Sequence, residues 1–207
     1  MSESLLNAAV PQDSGGAPKL VVLAGPNGAG KSTSARAILK DALRVDEFVN
    51  ADTIAQGLSA FDPSTVGISA GRIMLARLRE LAAAQASFAF ETTLASRSFA
   101  PWISRLIAEG YEFHLVFLWL PSADAAVQRV IERVRRGGHS VPEGVVRRRF
   151  KSGIANFSRL YMPMATQWQV FDNRGRIPRL IARGASCQGK RIFRPHLWEQ
   201  FLNSIIA

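Results

Sequence analysis

The sequence predicts an α/β fold whose core is a mainly parallel β-sheet flanked by helices. Short runs of apolar β-branched and aromatic residues, such as KLVVLA at 19–24 and EFHLVFLWL at 112–120, alternate with longer stretches of helical periodicity. These runs are apolar almost throughout, which is typical of strands that helices cover on both faces of a parallel sheet. In such a fold the ligand binds at the carboxyl ends of the strands.

The predicted elements follow in order along the chain. We predict strands at 19–24, 45–49, 88–90, 112–120, 169–171 and 180–182. We predict helices at 32–43, 64–86, 99–109, 122–136 and 142–157, and a last one from residue 195. Ser122 is expected to cap one of these helices, and Pro142 is expected to be the first residue of another. In the helix over 64–86 the expected core positions are Ile73, Leu75, Leu78 and Leu81.

Composition limits the class of protein. Of the 207 residues, 47% are hydrophobic and 20% are charged, which is the balance of a globular chain and excludes a disordered one. The single cysteine, Cys187, excludes a disulfide framework and a multi-cysteine zinc site. No secretory signal and no apolar run of membrane-spanning length is present, so we expect a cytoplasmic protein. We interpret residues 1–18 as a flexible leader and residues 19–207 as a single domain.

A glycine-rich segment directly after the first predicted strand matches the complete P-loop pattern G-x4-G-K-S. Its residues are Gly25, Pro26, Asn27, Gly28, Ala29, Gly30, Lys31, Ser32 and Thr33. Glycines let backbone N–H groups surround phosphate oxygens, and the following helix directs its positive end at the same anion. Lys31 is expected to contact the β- and γ-phosphates of ATP, and the Ser32 hydroxyl to ligate Mg²⁺. The segment therefore predicts a P-loop NTPase or kinase-like fold, the alternative being a glycine-rich turn that binds nothing.

Two carboxylates follow predicted strands at the same edge of the sheet as the P-loop. Asp52 comes directly after the strand that ends at Val49, and Glu91 directly after the strand that ends at Phe90. An enzyme that transfers a phosphoryl group needs a residue that orients or deprotonates the acceptor hydroxyl, and either carboxylate suits that task. The alternative for Asp52 is an N-cap of the next helix. The alternative for Glu91 is a satisfied polar residue at the sheet edge.

An arginine-rich segment follows the predicted helix over 122–136. Arg133 and Arg136 precede a Gly-Gly pair, and His139 lies three residues before Pro142. We predict a lid at about 133–142, in which the glycines act as a hinge and the arginines stabilise charge on the transferring phosphoryl group. The alternative is that these arginines are solvated helix surface. That alternative is favoured for 147–149, because three consecutive residues cannot all face one site, while His139 could contact substrate or cap a helix.

The positive charge lies mainly in the last two-fifths of the chain. There are 26 Lys and Arg residues against 16 Asp and Glu, a formal net charge of +10. Residues 1–128 hold 10 basic and 12 acidic side chains, and residues 129–207 hold 16 basic and 4 acidic ones. A surplus of this kind is typical of proteins that bind nucleic acid or another polyanion. The basic residues beyond 172 are Arg174, Arg176, Arg179, Arg183, Lys190, Arg191 and Arg194.

Five segments together resemble the zeta-toxin family of P-loop kinases, in its short chromosomal branch. They are AGPNGAGKST, VNADTIA, FAFETTLASRS, RVRRGGHSVPEGVVRRRF and WQVFDNRG, and the resemblance covers about residues 19–184. The resemblance implies an enzyme that phosphorylates a hydroxyl of the amino-sugar in UDP-N-acetylglucosamine with ATP, and a small antitoxin protein that blocks the ATP site. It implies a catalytic base at Asp52, ATP and Mg²⁺ contacts at Lys31 and Ser32, substrate contacts at Glu91, Thr93 and Arg97, and a phosphate-clamping arginine at Arg133.

The sequence departs from the family pattern at two places. His139 stands near the position of a second lid arginine, so Arg136 is the candidate to replace it. No residue between Asp52 and Glu91 matches the family's acidic substrate contact. The resemblance therefore supports the kinase chemistry better than it supports the nucleotide-sugar substrate.

The alternative functions are a kinase for another metabolite or an antibiotic, and a nucleic-acid-binding ATPase. Against the ATPase, the chain shows no second motor domain and no array of stacking aromatics. The basic region beyond residue 172 could instead dock an acidic antitoxin.

Overall fold

The computed structural model describes residues 16–60, 62–175, 177–186 and 189–206. Residues 1–15 of the predicted leader lie outside the described residues, as do Arg176 and Cys187. The centre of the fold is a seven-stranded sheet with the order β2-β3-β1-β4-β5-β6-β7. Its strands are β1 (Lys19–Ala24), β2 (Glu47–Val49), β3 (Phe88–Thr92), β4 (Glu112–Trp119), β5 (Gln167–Asp172), β6 (Arg179–Ala185) and β7 (Gly189–Ile192).

The first five strands are parallel, and β6 and β7 are antiparallel to their neighbours. The connecting helices are α1 (Lys31–Ala35), α2 (Ala51–Leu58), α3 (Gly67–Ala83), α4 (Ala100–Ala108), α5 (Ala123–Arg135), α6 (Glu143–Asn156) and α7 (Pro195–Ile206). The predicted α/β fold with a mainly parallel sheet is therefore confirmed. Among the described residues, no helix is long and apolar enough to cross a membrane.

The strand register brings the segments after β1, β2 and β3 to one edge of the sheet. Val49 at the end of β2 pairs with Phe90, and Leu23 in β1 pairs with Glu91. As a result, three parts of the chain lie side by side at this edge: the P-loop after β1, Asn50 after β2, and the end of β3. The topology therefore joins motifs that are separated by about 60 positions in the sequence.

Large aromatic side chains hold the helices after β4 and β7 against the sheet. Phe117 of β4 lies 4.5 Å from Phe157, measured between ring centroids, and Phe201 of α7 packs edge-on against Phe157 at 5.7 Å. All three rings are essentially buried. Burying an aromatic side chain of this size stabilises the fold by about 1.5–3 kcal/mol. This packing fixes the helical layer that ends next to the cleft.

Several predicted elements differ from the structure. In α3 the residues expected in the core, Ile73 and Leu75, are 44% and 42% exposed, and Ala70 and Met74 are buried instead, together with the correctly predicted Leu78 and Leu81. The prediction was wrong at Ile73 and Leu75 because α3 has apolar residues on more than one face, so the apolar pattern alone does not identify the buried positions. The predicted helix over 32–43 is α-helical only to Ala35 and continues as a π-helix over Arg36–Ala42.

One predicted helix end is confirmed, two predicted ends differ from the structure, and one strand was missed. Ser122 caps α5 as predicted, accepting a hydrogen bond from the Ala125 N–H at 3.1 Å. Pro142, however, is the N-cap of α6 and not its first residue. Glu91 lies inside β3, which extends to Thr92, and not after the strand. Strand β7 was missed, because its exposed sequence GKRI lacks the apolar pattern of a buried strand.

Candidate active site

The P-loop connects β1 directly to α1. At two of its positions the neighbouring atoms lie so close that only glycine fits. Gly25 has φ +146°, and a Cβ there would lie 2.4 Å from the Leu118 backbone oxygen. Gly28 has φ +77°, and a Cβ there would lie 2.7 Å from the Arg129 Cβ. Both contacts are shorter than real Cβ atoms allow, and both φ values favour glycine. The loop therefore holds its backbone in a conformation open to a bound phosphate.

Lys31 is buried in the wall of the cleft and is only 6% exposed. Its Nζ donates to the carbonyl oxygens of Gly25 (2.9 Å) and Pro26 (3.0 Å), and lies 3.6 Å from Glu91 Oε1. Burial lowers the pKa of the Lys31 ammonium, and the nearby carboxylates of Glu91 and Asp52 counteract part of that effect. The ammonium group of Lys31 is therefore shielded from solvent, and it does not form a close ion pair with a carboxylate among the described residues.

Asn50 connects the P-loop helix, β3 and α2, and sequence reasoning did not single it out. Its Oδ1 caps α2 by accepting from the N–H groups of Asp52 (2.7 Å) and Thr53 (3.3 Å). Its Nδ2 donates to Glu91 Oε2 at 2.8 Å, and the Ser32 hydroxyl donates to the same oxygen at 2.8 Å. An asparagine between a strand and a helix is a typical N-cap, and that signal could have identified it.

Asp52 lies in the first turn of α2, with an exposed side chain that lines the cleft. The alternative role of Asp52 as an N-cap is wrong, because Asn50 caps the helix. The carboxylate of Asp52 is therefore not used to hold the helix end. It remains available to a ligand in the cleft that Lys31 and Ser32 also line.

The predicted lid begins at the C-terminal end of α5. Arg133 donates from an Nη atom to the His139 backbone oxygen at 2.6 Å, and its buried Nε has no hydrogen-bond acceptor among the described residues. A Cβ on Gly138 would lie 2.5 Å from the Arg133 Cγ, so the turn packs on the arginine stem. Arg133, Arg136 and His139 all line the cleft. Because a buried guanidinium nitrogen rarely lacks an acceptor, this part of the cleft suits an anion.

The segment after β5 supports the other side of the P-loop, and sequence reasoning did not predict this. Asn173 Nδ2 donates to the Ala29 backbone oxygen, while Arg129 donates to the backbone oxygens of Asn173 (3.0 Å) and Arg174 (2.6 Å). Asp172 is fully buried and accepts from Arg174 and Arg179. Burial raises the pKa of the Asp172 carboxyl, but hydrogen bonds from the two arginines outweigh it and leave that pKa below its ordinary value.

One cleft of about 1130 Å³ brings most of the predicted site residues together. The predicted residues that line it are Asn27, Gly28, Gly30, Lys31, Ser32, Thr33, Asp52, Glu91, Thr93, Arg133, Arg136 and His139. Gly25, Pro26 and Ala29 are not among the lining residues, and the carbonyl oxygens of Gly25 and Pro26 accept from Lys31 instead. Arg97 is not among the lining residues, since its side chain is exposed and its Nε donates to Asn156 Oδ1 at 3.2 Å.

The cleft has more positive than negative charge. Six cationic side chains line it, Lys31, Arg129, Arg133, Arg136, Arg149 and Arg174, against three carboxylates, Asp52, Glu91 and Glu132. Arg129, Arg149 and Arg174 were not predicted as site residues. Arg129 lies in α5, Arg149 in α6 and Arg174 after β5, so the fold is what brings these three residues together. A cleft with this balance concentrates anionic ligands.

The parallel sheet, the P-loop after β1 and the cationic cleft define a P-loop protein with a kinase-like fold. The family model described as an AAA domain matches residues 20–160 of this chain, which therefore belongs to that family. An uncharacterized protein of Haemophilus influenzae is 27% identical over 132 residues, which are 64% of this chain and 92% of the relative.

Two solved structures share the fold over almost the whole chain. A crystal structure of AvrRxo1-ORF1:-ORF2 with ATP superposes with a TM-score of 0.71 at 18% identity, over 97% of this chain and 66% of the matched one. The PezAT chromosomal toxin-antitoxin system of Streptococcus pneumoniae has a TM-score of 0.63 at 16% identity, over 97% of this chain and 82% of the matched one. This chain thus spans about two thirds of the AvrRxo1 chain. The predicted resemblance to zeta-toxin-like P-loop kinases is confirmed at the level of the fold.

Proposed function

We propose that this protein is an ATP-dependent kinase that transfers the γ-phosphate of ATP to a hydroxyl of a nucleotide-sugar of the UDP-N-acetylglucosamine type. The observation that carries the proposal is the position of Asp52. Its carboxylate is not used to cap a helix, and it lines the same cleft as the P-loop residues Lys31 and Ser32. A base beside a phosphate-binding loop is the arrangement that phosphoryl transfer to a hydroxyl needs.

The residues present fit ATP and Mg²⁺. The P-loop glycines leave no side chain between the backbone and the cleft, and the buried Arg133 Nε has no acceptor among the described residues. The Ser32 hydroxyl and the Glu91 carboxylate, 2.8 Å apart, are oxygen donors of the kind that Mg²⁺ prefers. The described residues contain no cluster of three or more His, Cys, Asp or Glu side chains that would hold a metal by themselves. When bound, Mg²⁺ would neutralise phosphate charge during transfer.

Each residue then has a task of its own in the proposed reaction. Asp52 accepts the proton of the acceptor hydroxyl as that oxygen attacks the γ-phosphorus, while the bond from the γ-phosphorus to the β–γ bridging oxygen breaks and ADP leaves. Lys31, Arg133 and Arg136 stabilise the negative charge that develops on the phosphoryl oxygens. Asn50 acts through other residues, because its amide orients both Ser32 and Glu91 by hydrogen bonding. Thr93 and His139 line the same cleft, and in the proposed reaction they contact the substrate.

A panel of acceptors tests the proposal. The full-length protein is incubated with ATP, Mg²⁺ and separate UDP-sugars, metabolites and aminoglycoside-type antibiotics, and products are identified by mass spectrometry. We expect a phosphorylated form of UDP-N-acetylglucosamine. Phosphorylation of a different acceptor would support the alternative kinase. The absence of any sugar product, in protein that binds ATP, would contradict the nucleotide-sugar substrate.

We further propose that an acidic partner protein docks on the basic region beyond residue 172. Arg174 and Arg179 are paired with Asp172, but Lys190 and Arg191 lie on the exposed edge strand β7. Reversing both charges, Lys190→Glu with Arg191→Glu, should weaken binding to a co-expressed acidic partner. If the charge reversal leaves the affinity for the acidic partner unchanged, the proposed docking face is contradicted. Nucleic-acid binding with a steep salt dependence would favour the alternative ATPase instead.

A further inference from the structure

The segment 93–96, which follows β3, is held from behind by α6 and the turn after it. Asn156 Nδ2 donates to the backbone oxygens of Leu94 (2.8 Å) and Ala95 (3.3 Å), and the Tyr161 hydroxyl donates to the Ser96 oxygen (2.9 Å). Gly153 packs against the Thr93 oxygen so closely that a Cβ would lie 2.3 Å from it. Four consecutive carbonyl groups thus face the α6 side.

This arrangement forces the peptide N–H groups to the opposite side. The chain coils because Leu94, although not a glycine, has φ +55°. In a trans peptide the N–H points away from the carbonyl that precedes it, and no described peptide bond is cis. The N–H groups of Ala95 and Ser96 therefore point away from α6, and neither has an acceptor among the described residues. Both residues line the cleft. Successive N–H groups around a residue with positive φ form a concavity that binds anions.

Arg149 adds a cation beside this segment. It precedes Gly153 and Asn156 by four and seven positions, so the three residues share the face of α6 that contacts segment 93–96. Arg149 is half-buried and lines the cleft, and it has no carboxylate partner among the described residues. Its neighbour Arg147 differs, because it pairs with Asp124 (2.6 Å) and Glu143 (2.7 Å) on the surface.

We infer that Arg149 and the N–H groups of Ala95 and Ser96 form a second anion site in the cleft, which binds a phosphate or diphosphate group carried by the acceptor. This inference rests on the proposed kinase function and narrows it. The P-loop holds the phosphates of ATP, and the second site holds the anionic group of the molecule that receives the phosphoryl group. Neutral sugars and cationic antibiotics lack the group that this site recognises. A guanidinium with adjacent N–H donors is suited to phosphate oxygens.

Inorganic pyrophosphate serves as the probe. The full-length protein is first saturated with Mg²⁺ and a non-hydrolysable ATP analogue, so that the P-loop is occupied, and the backbone amide resonances of Ala95 and Ser96 are followed by NMR during titration. We expect both resonances to shift. We expect Arg149→Met to weaken binding by about 10-fold or more, because it removes a charge-assisted bidentate contact. Arg149→Lys, which keeps the charge but loses the planar fork, should fall in between.

Arg148→Met is the matched control, since Arg148 is the adjacent exposed arginine and does not line the cleft. It should bind pyrophosphate like the unmodified protein. Unmoved Ala95 and Ser96 resonances, or equal binding in Arg149→Met and Arg148→Met, would overturn the site. The titration requires no phosphoryl transfer. Anion binding in a protein that phosphorylates no acceptor would therefore contradict the proposed kinase function and leave this site standing.

Discussion

Asp52→Asn should lower phosphoryl transfer by about 10²–10⁴-fold, the range that a positioned general base contributes. Asparagine has nearly the same shape as aspartate but cannot accept the proton of the acceptor hydroxyl. Because Asn50, and not Asp52, caps α2, the helix that carries the residue should stay folded. ATP affinity should change little, since the phosphates are held by the P-loop. The measurement is steady-state transfer to UDP-N-acetylglucosamine together with ATP binding by calorimetry.

Asp124→Asn is a closely matched control. Asp124 stands two residues after the N-cap Ser122 of α5, just as Asp52 stands two residues after the N-cap Asn50 of α2. Each aspartate interacts with the positive end of its helix, worth about 0.3–1 kcal/mol, so both variants lose a similar amount of stability. Asp124 pairs with Arg147 on the surface and does not line the cleft. Equal activity in the two variants would mean that Asp52 is not the catalytic base. Loss of ATP binding together with transfer in Asp52→Asn would make Asp52 a structural residue.

The parts of the site that could be predicted from the sequence are those in short contiguous motifs. The P-loop and Asp52 each follow a recognisable strand, and the parallel sheet brings the ends of those strands together. The contact of Asn173 with the P-loop could not be predicted, because it depends on the pairing of β4 with β5, which also places Arg174 in the lining of the cleft. The core prediction for α3 was right at Leu78 and Leu81 but wrong at Ile73 and Leu75 for a related reason, since the neighbours that the helix meets decide which of its apolar residues are buried.

The arginines at 147–149 show what the spacing of residues along a helix can predict and what it cannot. The expectation that three consecutive residues cannot share one site is consistent with the structure, in which Arg147 is paired on the surface and Arg148 is exposed. The solvated-surface position favoured for all three is wrong for Arg149, which is half-buried and lines the cleft, because the contacts of Gly153 and Asn156 with segment 93–96 turn that face of α6 inward. A sequence pattern gives the spacing of residues on a helix, but tertiary packing sets its rotation.

Lys31→Met should abolish most phosphoryl transfer, by about 10²–10³-fold, and should also weaken ATP binding. The Lys31 ammonium is buried at the P-loop, and among the described residues its contacts are two backbone oxygens and, at 3.6 Å, Glu91. Burial is the main influence on its pKa and lowers it, which means that the protein holds this charge at a cost. Methionine has a similar length and no charge to desolvate, and Glu91 keeps its hydrogen bonds from Ser32 and Asn50.

The thermal midpoint should therefore stay within about 3 °C, a change of roughly 1 kcal/mol for a chain of this size, while transfer is lost. Lys40→Met is the control, because Lys40 lies in the same helical segment but is 63% exposed and pairs with Asp46 at the surface. Scanning calorimetry of both variants, with and without ATP, separates the two roles of Lys31. Removing one partner from a buried ion pair typically costs about 3–5 kcal/mol. If the free energy of unfolding without ATP falls by that much in Lys31→Met, Lys31 holds the fold together. A stable variant that has lost its ATP-dependent rise in midpoint would mean that the charge is kept for the ligand.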